Sequence, residues 1–528
     1  MDGFKTAEQM AAEQREISVA EFFEKNRHLL GFDNPSKSVL TVVKEAIDNS
    51  LDACEEAGIL PEITIKIRQL ETDDRFKISV QDNGPGMPAK QIPMAFGKLL
   101  YGSKFYKMRQ SRGQQGIGIS AALLYSQLTT GKPATIRSRT DAKHKIVEFQ
   151  LRMNTAKNEP TVVKEGEYEG SFPDTGVYVE MELEGKYRKG RQSVDEFIKQ
   201  TAVANPVAKI VYYAPDGEKV TYSRATDKLP KKAKSILPHP HGVELGVFER
   251  MSKNTKSRTV TAFLSNDFSR VSSQSAREFC KLSKVSPDTD PKKLEPHDIE
   301  KLWRTIQAAK IMKPPLDCLS PIGEDVLEKA IKKDLNAEFV AAITRPPEVY
   351  RGNPFGIEVC IGYGGGLPLN EAGEMIRIAN RVPLLYEPSS CAIMKAMKTI
   401  DWGHYKLQHE NKLPFGPIVV LVHLYSTWIP YTSESKEAVD AYPEILKEIR
   451  LALQDCLRKI GKYLAGQRRR QMESKRQSLF EKYIPEFAYT MEKLTGEKKE
   501  KIETDLKKLL HKEGLKVEED VGKEQRKE

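Results

Sequence analysis

Glu45-Ala46-Ile47-Asp48-Asn49, Asp82-Asn83-Gly84-Pro85-Gly86, Gly113-Gln114-Gln115-Gly116-Ile117-Gly118 and Asp174-Thr175-Gly176 are four short boxes in the first part of the chain, and their order decides its reading. The first lies in a predicted helix, because Ser38 to Ala57 puts Val39, Val42, Val43, Ala46, Ile47 and Leu51 on one stripe. Residues four apart share a helix face, so Glu45 and Asn49 project side by side, with Asp52 a turn further on. A carboxylate beside an amide oxygen makes chemical sense if the first polarises a water for attack on a phosphate and the second holds a Mg²⁺ ion. An exposed polar helix face is the competing reading, and this box alone does not choose.

The second box ends a strand. Arg75 to Gln81 alternates, with Phe76, Ile78 and Val80 apolar, and breaks at Asp82-Asn83-Gly84-Pro85-Gly86-Met87. A carboxylate there can accept a hydrogen bond from the exocyclic amine of adenine, while Gly84 and Gly86 let base and backbone approach closely. Alone, Asn-Gly-Pro-Gly is an ordinary turn; its place after the Glu45 helix and two strands favours the base. Gly113 to Gly118 runs directly into Ile119-Ser120-Ala121-Ala122-Leu123-Leu124, and glycines at a helix start offer N–H groups and the positive end of the helix dipole to phosphate. The glycine order, the lack of an entering strand and the missing later acid exclude a dinucleotide fingerprint. Gly97 and Gly102 have Walker separation, but Ser103-Lys104 follows where Lys-Ser or Lys-Thr is required. Ser103 and Lys104 stay as phosphate candidates from a covering loop, against the alternative of a solvated lysine. Together the boxes are the inventory of an ATP site with Mg²⁺. Glu45 is its base, Asn49 its metal ligand and Asp82, Gly84 and Gly86 its adenine contacts. Gly113, Gln114, Gln115, Gly116, Ile117, Gly118, Ile119 and Ser120 form its phosphate cradle, with Thr175 as a closing contact.

These boxes resemble the Bergerat fold of the GHKL ATPases, which include gyrase-type topoisomerases, MutL repair proteins, large heat-shock chaperones and sensor histidine kinases. Glu45 to Ala53, Gln81 to Met87, Gly113 to Ser120, Leu319-Ser320-Pro321-Ile322-Gly323-Glu324 and Lys436 to Ala438 are similar to the B subunits of archaeal type IIB DNA topoisomerases, the topoisomerase VI family. The similarity runs from Glu13 to Gln471. It implies an α+β multidomain chain: a GHKL α/β sandwich over 1–235, whose first 14 residues form a strap crossing to a partner protomer, then a helix-two-turn-helix insert over 236–315. An α/β transducer domain with a long stalk helix follows over 316–475, and a charged tail over 476–528 docks the partner subunit. It also implies that Lys436 reaches the γ-phosphate, and that Arg188, Lys189 and Arg191 of the loop Lys186-Tyr187-Arg188-Lys189-Gly190-Arg191 touch DNA. The implied assembly has two A and two B subunits on double-stranded DNA, with ATP-dependent B–B dimerisation and cleavage left to the A subunit.

Composition agrees. The 528 residues suggest roughly three or four domains. A net charge of +10 favours a polyanionic partner without choosing DNA, RNA or acidic protein. Six scattered cysteines read as reduced and mostly buried, and no leader or membrane span is evident, so a soluble cytoplasmic protein is expected. Ile418 to Leu424 reads as a buried strand despite His423. Helices are expected at Ser273 to Leu282 and His297 to Ala309, strands at Gly356 to Tyr363, Met375 to Ala379 and Pro417 to His423, and a long helix from near Ser435 to Gln471. Gly362-Tyr363-Gly364-Gly365-Gly366 reads as a flexible connection, and His239 and His241 as part of a Pro-rich linker rather than a metal site. Two other readings remain: a MutL-like or chaperone clamp, and a histidine kinase, for which His28 is poorly placed.

Overall fold

The computed structural model describes residues 5–72, 74–102, 108–113, 116–433 and 435–509. Ser103, Lys104, Gln114 and Gln115 lie outside the described residues, as do the first four residues of the expected strap and the tail from 510. Short helices α1 (Ala7–Ala12) and α2 (Val19–Lys25) lead to α3 (Pro35–Ala57). The boundaries of α3 are written in its sequence. Asn34 accepts from the Ser36 N–H, Pro35 fills the first turn where a donor is not needed, and Gly58 closes the helix in a left-handed conformation. The expected stripe is buried: Val39, Val43, Ile47 and Leu51 have no exposed surface.

That stripe packs on an eight-stranded sheet in the order β5-β4-β3-β6-β2-β1-β7-β8. Its strands are β1 (Glu62–Gln69), β2 (Arg75–Gln81), β3 (Ala134–Arg139), β4 (Ile146–Asn154), β5 (Glu159–Tyr168), β6 (Gly176–Glu184), β7 (Lys209–Tyr213) and β8 (Lys219–Tyr222). β1 and β7 run parallel and the other neighbours antiparallel. Alternation turns Ile63, Ile65, Ile67, Phe76, Ile78 and Val80 to one face, where α3, α4 (Ile92–Gly97), α5 (Gly118–Thr130) and α6 (Val194–Ala204) share a single core with them. Box two therefore leaves the end of β2 under the box-one helix, and box three opens α5.

Four helices follow: α7 (Leu245–Asn254), α8 (Val260–Asp267), α9 (Ser273–Ser283) and α10 (Pro296–Ala308), with their own core around Phe248, Phe263 and Phe268. Sequence reading predicts only the last two; α8 is short and has a weak helical period, whereas the apolar period of α7, with Leu245, Val247, Phe248 and Met251, is there to be read. His239 and His241 bind main-chain carbonyls, His239 at Met312 and His241 at Ile306 and Ala309, which pins the entry and exit of this unit together. No cluster of three or more metal-ligating side chains occurs among the described residues.

The last unit begins with α11 (Glu324–Leu335) and a six-stranded sheet of β9 (Phe339–Thr344), β10 (Glu348–Tyr350), β11 (Asn353–Tyr363), β12 (Glu374–Ala379), β13 (Val382–Pro383) and a final strand. Helix α12 (Ala392–Met397) and a small hairpin, β14 (His409–Glu410) with β15 (Leu413–Pro414), precede that final strand, β16 (Ile418–Ser426), which is buried throughout. Three expectations need correction. Gly362 and Tyr363 are the end of β11, and Gly364 to Gly366 form a close-fitting turn and not a flexible connection: a Cβ at Gly365 would lie 2.2 Å from the Asn336 carbonyl oxygen. The long helix, α13 (Pro443–Thr495), starts eight residues later than Ser435, because Tyr431 bridges Val439 and Pro443 takes the first-turn slot. It also continues past Gln471, through Pro485, for 53 residues in all. All six cysteines are free and buried, and no described helix is long and apolar enough to cross a membrane.

Leu51→Ala would open a cavity between α3 and the sheet. It should cost about 2–5 kcal/mol, read as a lower urea midpoint for unfolding of the nucleotide unit; an unchanged midpoint would show that this stripe does not carry the domain.

Candidate active site

A cavity of 340 Å³ lies between α3, the end of β2, the start of α5 and the segment Ser435–Lys436. Glu45, Asn49, Asp82, Gly86, Gly113, Gly116, Ile117, Gly118, Ile119 and Lys436 all line it. Gly84, Ser120 and Thr175 stand behind the wall: the Gly84 N–H donates to Asp82, the Ser120 hydroxyl to the Ile117 carbonyl, and the Thr175 hydroxyl to the Asn83 carbonyl. Their contribution is to hold the lining in place. The fold thus brings three boxes from distant positions to line one concave site, with the fourth directly behind its wall.

Asp82 is the most constrained of these side chains. Ser50 Oγ donates to one carboxylate oxygen at 2.7 Å, and the Gly84 and Val177 N–H groups donate to the other at 2.9 and 3.0 Å. Burial pushes its carboxyl up, and the three donors oppose that push. A carboxylate offers about four acceptor positions, so one remains for a donor from the cavity. Gly176 is obligatory beside it, since a Cβ there would lie 2.2 Å from the Asp82 carbonyl oxygen and its φ is 148°.

Glu45 lies directly against the start of α5. A Cβ at Gly118 would fall 1.7 Å from Glu45 Oε2, so only glycine lets the carboxylate sit at the positive end of that helix. Asn49, one turn along α3, is exposed in the cavity, and a single amide oxygen there suits Mg²⁺, which takes most of its ligands from water and phosphate. Asp48, on the adjacent buried face, has its carboxyl pushed up to about 7 by burial and by the neighbouring Glu45.

Sequence reasoning missed the groups that frame the site. Arg112 is 3% exposed and holds Asp52 at 2.9 Å, Glu55 at 2.6 and 3.1 Å, and the Asn205 side-chain oxygen. Burial opposes its charge, but Glu55 and Asp52 hold its pKa above the ordinary range. Asp52 also accepts from the Gly113 N–H, which fixes the entry of the phosphate loop. Arg381, from the last unit, reaches the same Glu55 at 3.1 Å and the Ser320 hydroxyl at 2.6 Å. Glu55, despite burial, is held below its usual range by Arg112 and Arg381. Lys436 Nζ donates to the Arg112 carbonyl at 3.2 Å, so the lysine stands at the phosphate loop from a turn, not from a helix start.

Arg188, Lys189 and Arg191 are exposed, and Lys189 is paired with Asp216 and Glu218 at 2.8 and 2.9 Å. They are not among the described residues that line the cavity.

A buried carboxylate at a strand end, a glycine loop opening a helix and a glutamate on one long helix, gathered on one cavity, are the pattern of an ATPase of the GHKL class. In agreement, residues 34–155 match the family model described as histidine kinase-, DNA gyrase B-, and HSP90-like ATPase, and residues 314–476 match the topoisomerase VI B subunit transducer. The chain is 49% identical to the B subunit of type 2 DNA topoisomerase 6 from Archaeoglobus fulgidus over 90% of this chain and 79% of that one. It is 45% identical to the Methanosarcina barkeri protein of the same name over 92% and 78%, and 38% identical to that of Pyrococcus horikoshii over 93% and 94%. The chain belongs to the family of type 2 DNA topoisomerase 6 B subunits.

Gly118→Ala tests the contact between Glu45 and α5. The new methyl should displace the carboxylate and lower ATP turnover about 100-fold or more while circular dichroism stays unchanged; turnover near wild type would mean that the carboxylate is not held there.

Proposed function

We propose that this chain is the ATP-driven clamp of a type IIB topoisomerase, and that it captures a DNA duplex by closing on a second copy of itself. The observation that carries this reading is the convergence of Glu45, Asp82, the glycine loop and Lys436 on one cavity. Asp82 receives the adenine amine, with Gly84 and Gly86 leaving room for the base. The N–H groups from Gly113 to Ser120, those of Gln114 and Gln115 included, cradle the phosphates, with Ser103 and Lys104 as further phosphate contacts, and Thr175 supports the adenine side. Asn49 would hold Mg²⁺, whose chemistry is to neutralise phosphate charge. Glu45 takes a proton from the attacking water, and Lys436 senses the γ-phosphate from the transducer side. Loss of that phosphate removes the contact and releases the clamp.

On this reading residues 1–235 are the nucleotide domain with the strap at 1–14, 236–315 the helix-two-turn-helix insert, 316–475 the transducer with its stalk and 476–528 the partner-docking tail. α13 supports the last assignment, since it presents Leu479, Phe480, Tyr483 and Phe487 to solvent. The partner is a topoisomerase VI A subunit in a complex of two A and two B chains, which cleaves the DNA that the clamp captures, relaxing supercoils and resolving linked duplexes. Arg188, Lys189 and Arg191 meet DNA phosphates, and Lys189 exchanges its acidic partners for them. A MutL-like or chaperone clamp and a histidine kinase would share the cavity, but the transducer match extends through the last unit and favours the topoisomerase.

Glu45→Gln should bind ATP normally and lose turnover by about 100- to 10,000-fold, and with the A subunit it should support no repeated relaxation of supercoiled DNA. Loss of ATP binding together with turnover would instead make Glu45 a structural or metal-holding group.

A further inference from the structure

Lys37, Thr41 and Lys44 recur at helical spacing on the face of α3 that meets residues 435–437. Lys37 Nζ is 2.5 Å from Glu437, with both side chains nearly buried, and a second carboxylate, Asp33, lies 3.0 Å from the same amine. The ring of Tyr386 covers it at 5.4 Å. Lys44 donates to the Ser435 carbonyl at 3.1 Å. These contacts bracket Lys436 on both sides. Lys436 itself has φ 54°, a left-handed conformation that a residue with a side chain holds only where its surroundings enforce it. On the side away from the nucleotide cavity, where Lys37, Leu40 and Tyr386 meet this segment, the free space is only 20 Å³, roughly the room of a single water. A strained lysine pinned by its two neighbours, with its amine at the phosphate loop, has the construction of a preset contact.

We propose that the Lys37–Glu437 ion pair is a latch that positions Lys436 for the γ-phosphate, so that two residues outside the nucleotide cavity set how strongly the chain prefers ATP to ADP. This rests on the sensing role of Lys436 proposed above. Lys37 and Glu437 are positioning residues: they touch no part of the nucleotide, and they act by making the ordering of residues 435–437 part of the fold instead of a cost of binding. Lys44, which also borders the cavity, holds the other end of the segment, and its burial lowers its pKa although Glu45 opposes that.

The test is calorimetric, on the full chain with Mg²⁺, using ADP and a non-hydrolysable ATP analogue. Glu437→Gln and Lys37→Met should each leave the ADP dissociation constant within about twofold of wild type while weakening the analogue about tenfold, the size of one charged hydrogen bond. Lys436→Met should abolish the preference for the analogue, and adding Glu437→Gln to it should change nothing further. An unchanged preference in both latch variants would overturn the proposal, as would equal weakening of ADP and analogue, the mark of a purely structural pair. Additive effects in the double variant would also overturn it, because the pair would then act other than through Lys436. If Lys436→Met itself keeps the wild-type preference, the sensing role falls and the latch falls with it.

Discussion

The buried guanidinium of Arg112 is the interaction on which the rest of the structure depends. A charge taken out of water must be paired, and removing one partner of a buried pair costs about 3–5 kcal/mol. Arg112 meets this requirement with Asp52 and Glu55 of α3 and with Asn205 at the end of α6. The entry of the phosphate loop is thereby fixed to the helix that carries Glu45 and Asn49. Arg381 shares Glu55, and its own backbone N–H donates to His423 in the middle of the second sheet. One helix therefore holds both a wall of the cavity and the attachment of the last unit.

The chain of polar contacts continues inside that unit. His423 Nε2 accepts from the Arg381 N–H, so its other nitrogen carries the proton that Glu358 accepts at 2.8 Å. Glu358 also receives the Ile322 and Gly323 N–H groups and the Thr344 hydroxyl, and these donors, led by His423, keep it ionised against its burial. Ser320, next to that segment, is held by both Arg381 and Gln110. A displacement at the glycine loop therefore has hydrogen-bonded routes to β11 and β16, through groups too buried to let water substitute for a broken contact. Rigid coupling of this kind suits a nucleotide-operated switch, whose large-scale motion needs packed elements rather than loose ones.

Much of the site was legible because its logic is local. Glu45 and Asn49 follow from helical spacing, Asp82 from a strand end, and Gly118 from a helix start, and the structure brings all four to one cavity. What the sequence concealed is long-range. Glu55 and Arg381 are 326 positions apart, and nothing in a single chain marks one as the partner of the other. Ser-Lys-Glu-Ala at 435–438 reads as a helix start by composition, yet the segment is extended and turned, because Lys37 and Lys44 of another element hold it. Gly362 to Gly366 looks flexible for the same reason: the carbonyl of Asn336 that forces glycine at 365 comes from outside the turn. The length of α13 was hidden by the stretch from Gly466 to Ser478, whose arginines and other polar residues interrupt the apolar stripe between Leu464 and Leu479.

The measurement that bears most directly on the clamp is sedimentation velocity of the purified chain with Mg²⁺, with and without a non-hydrolysable ATP analogue. A shift from monomer to dimer that requires the analogue and does not occur with ADP is the expected result. An unchanged sedimentation coefficient at nucleotide concentrations shown by calorimetry to saturate the site would contradict it, and would leave an ATP-binding chain whose cavity does not drive pairing.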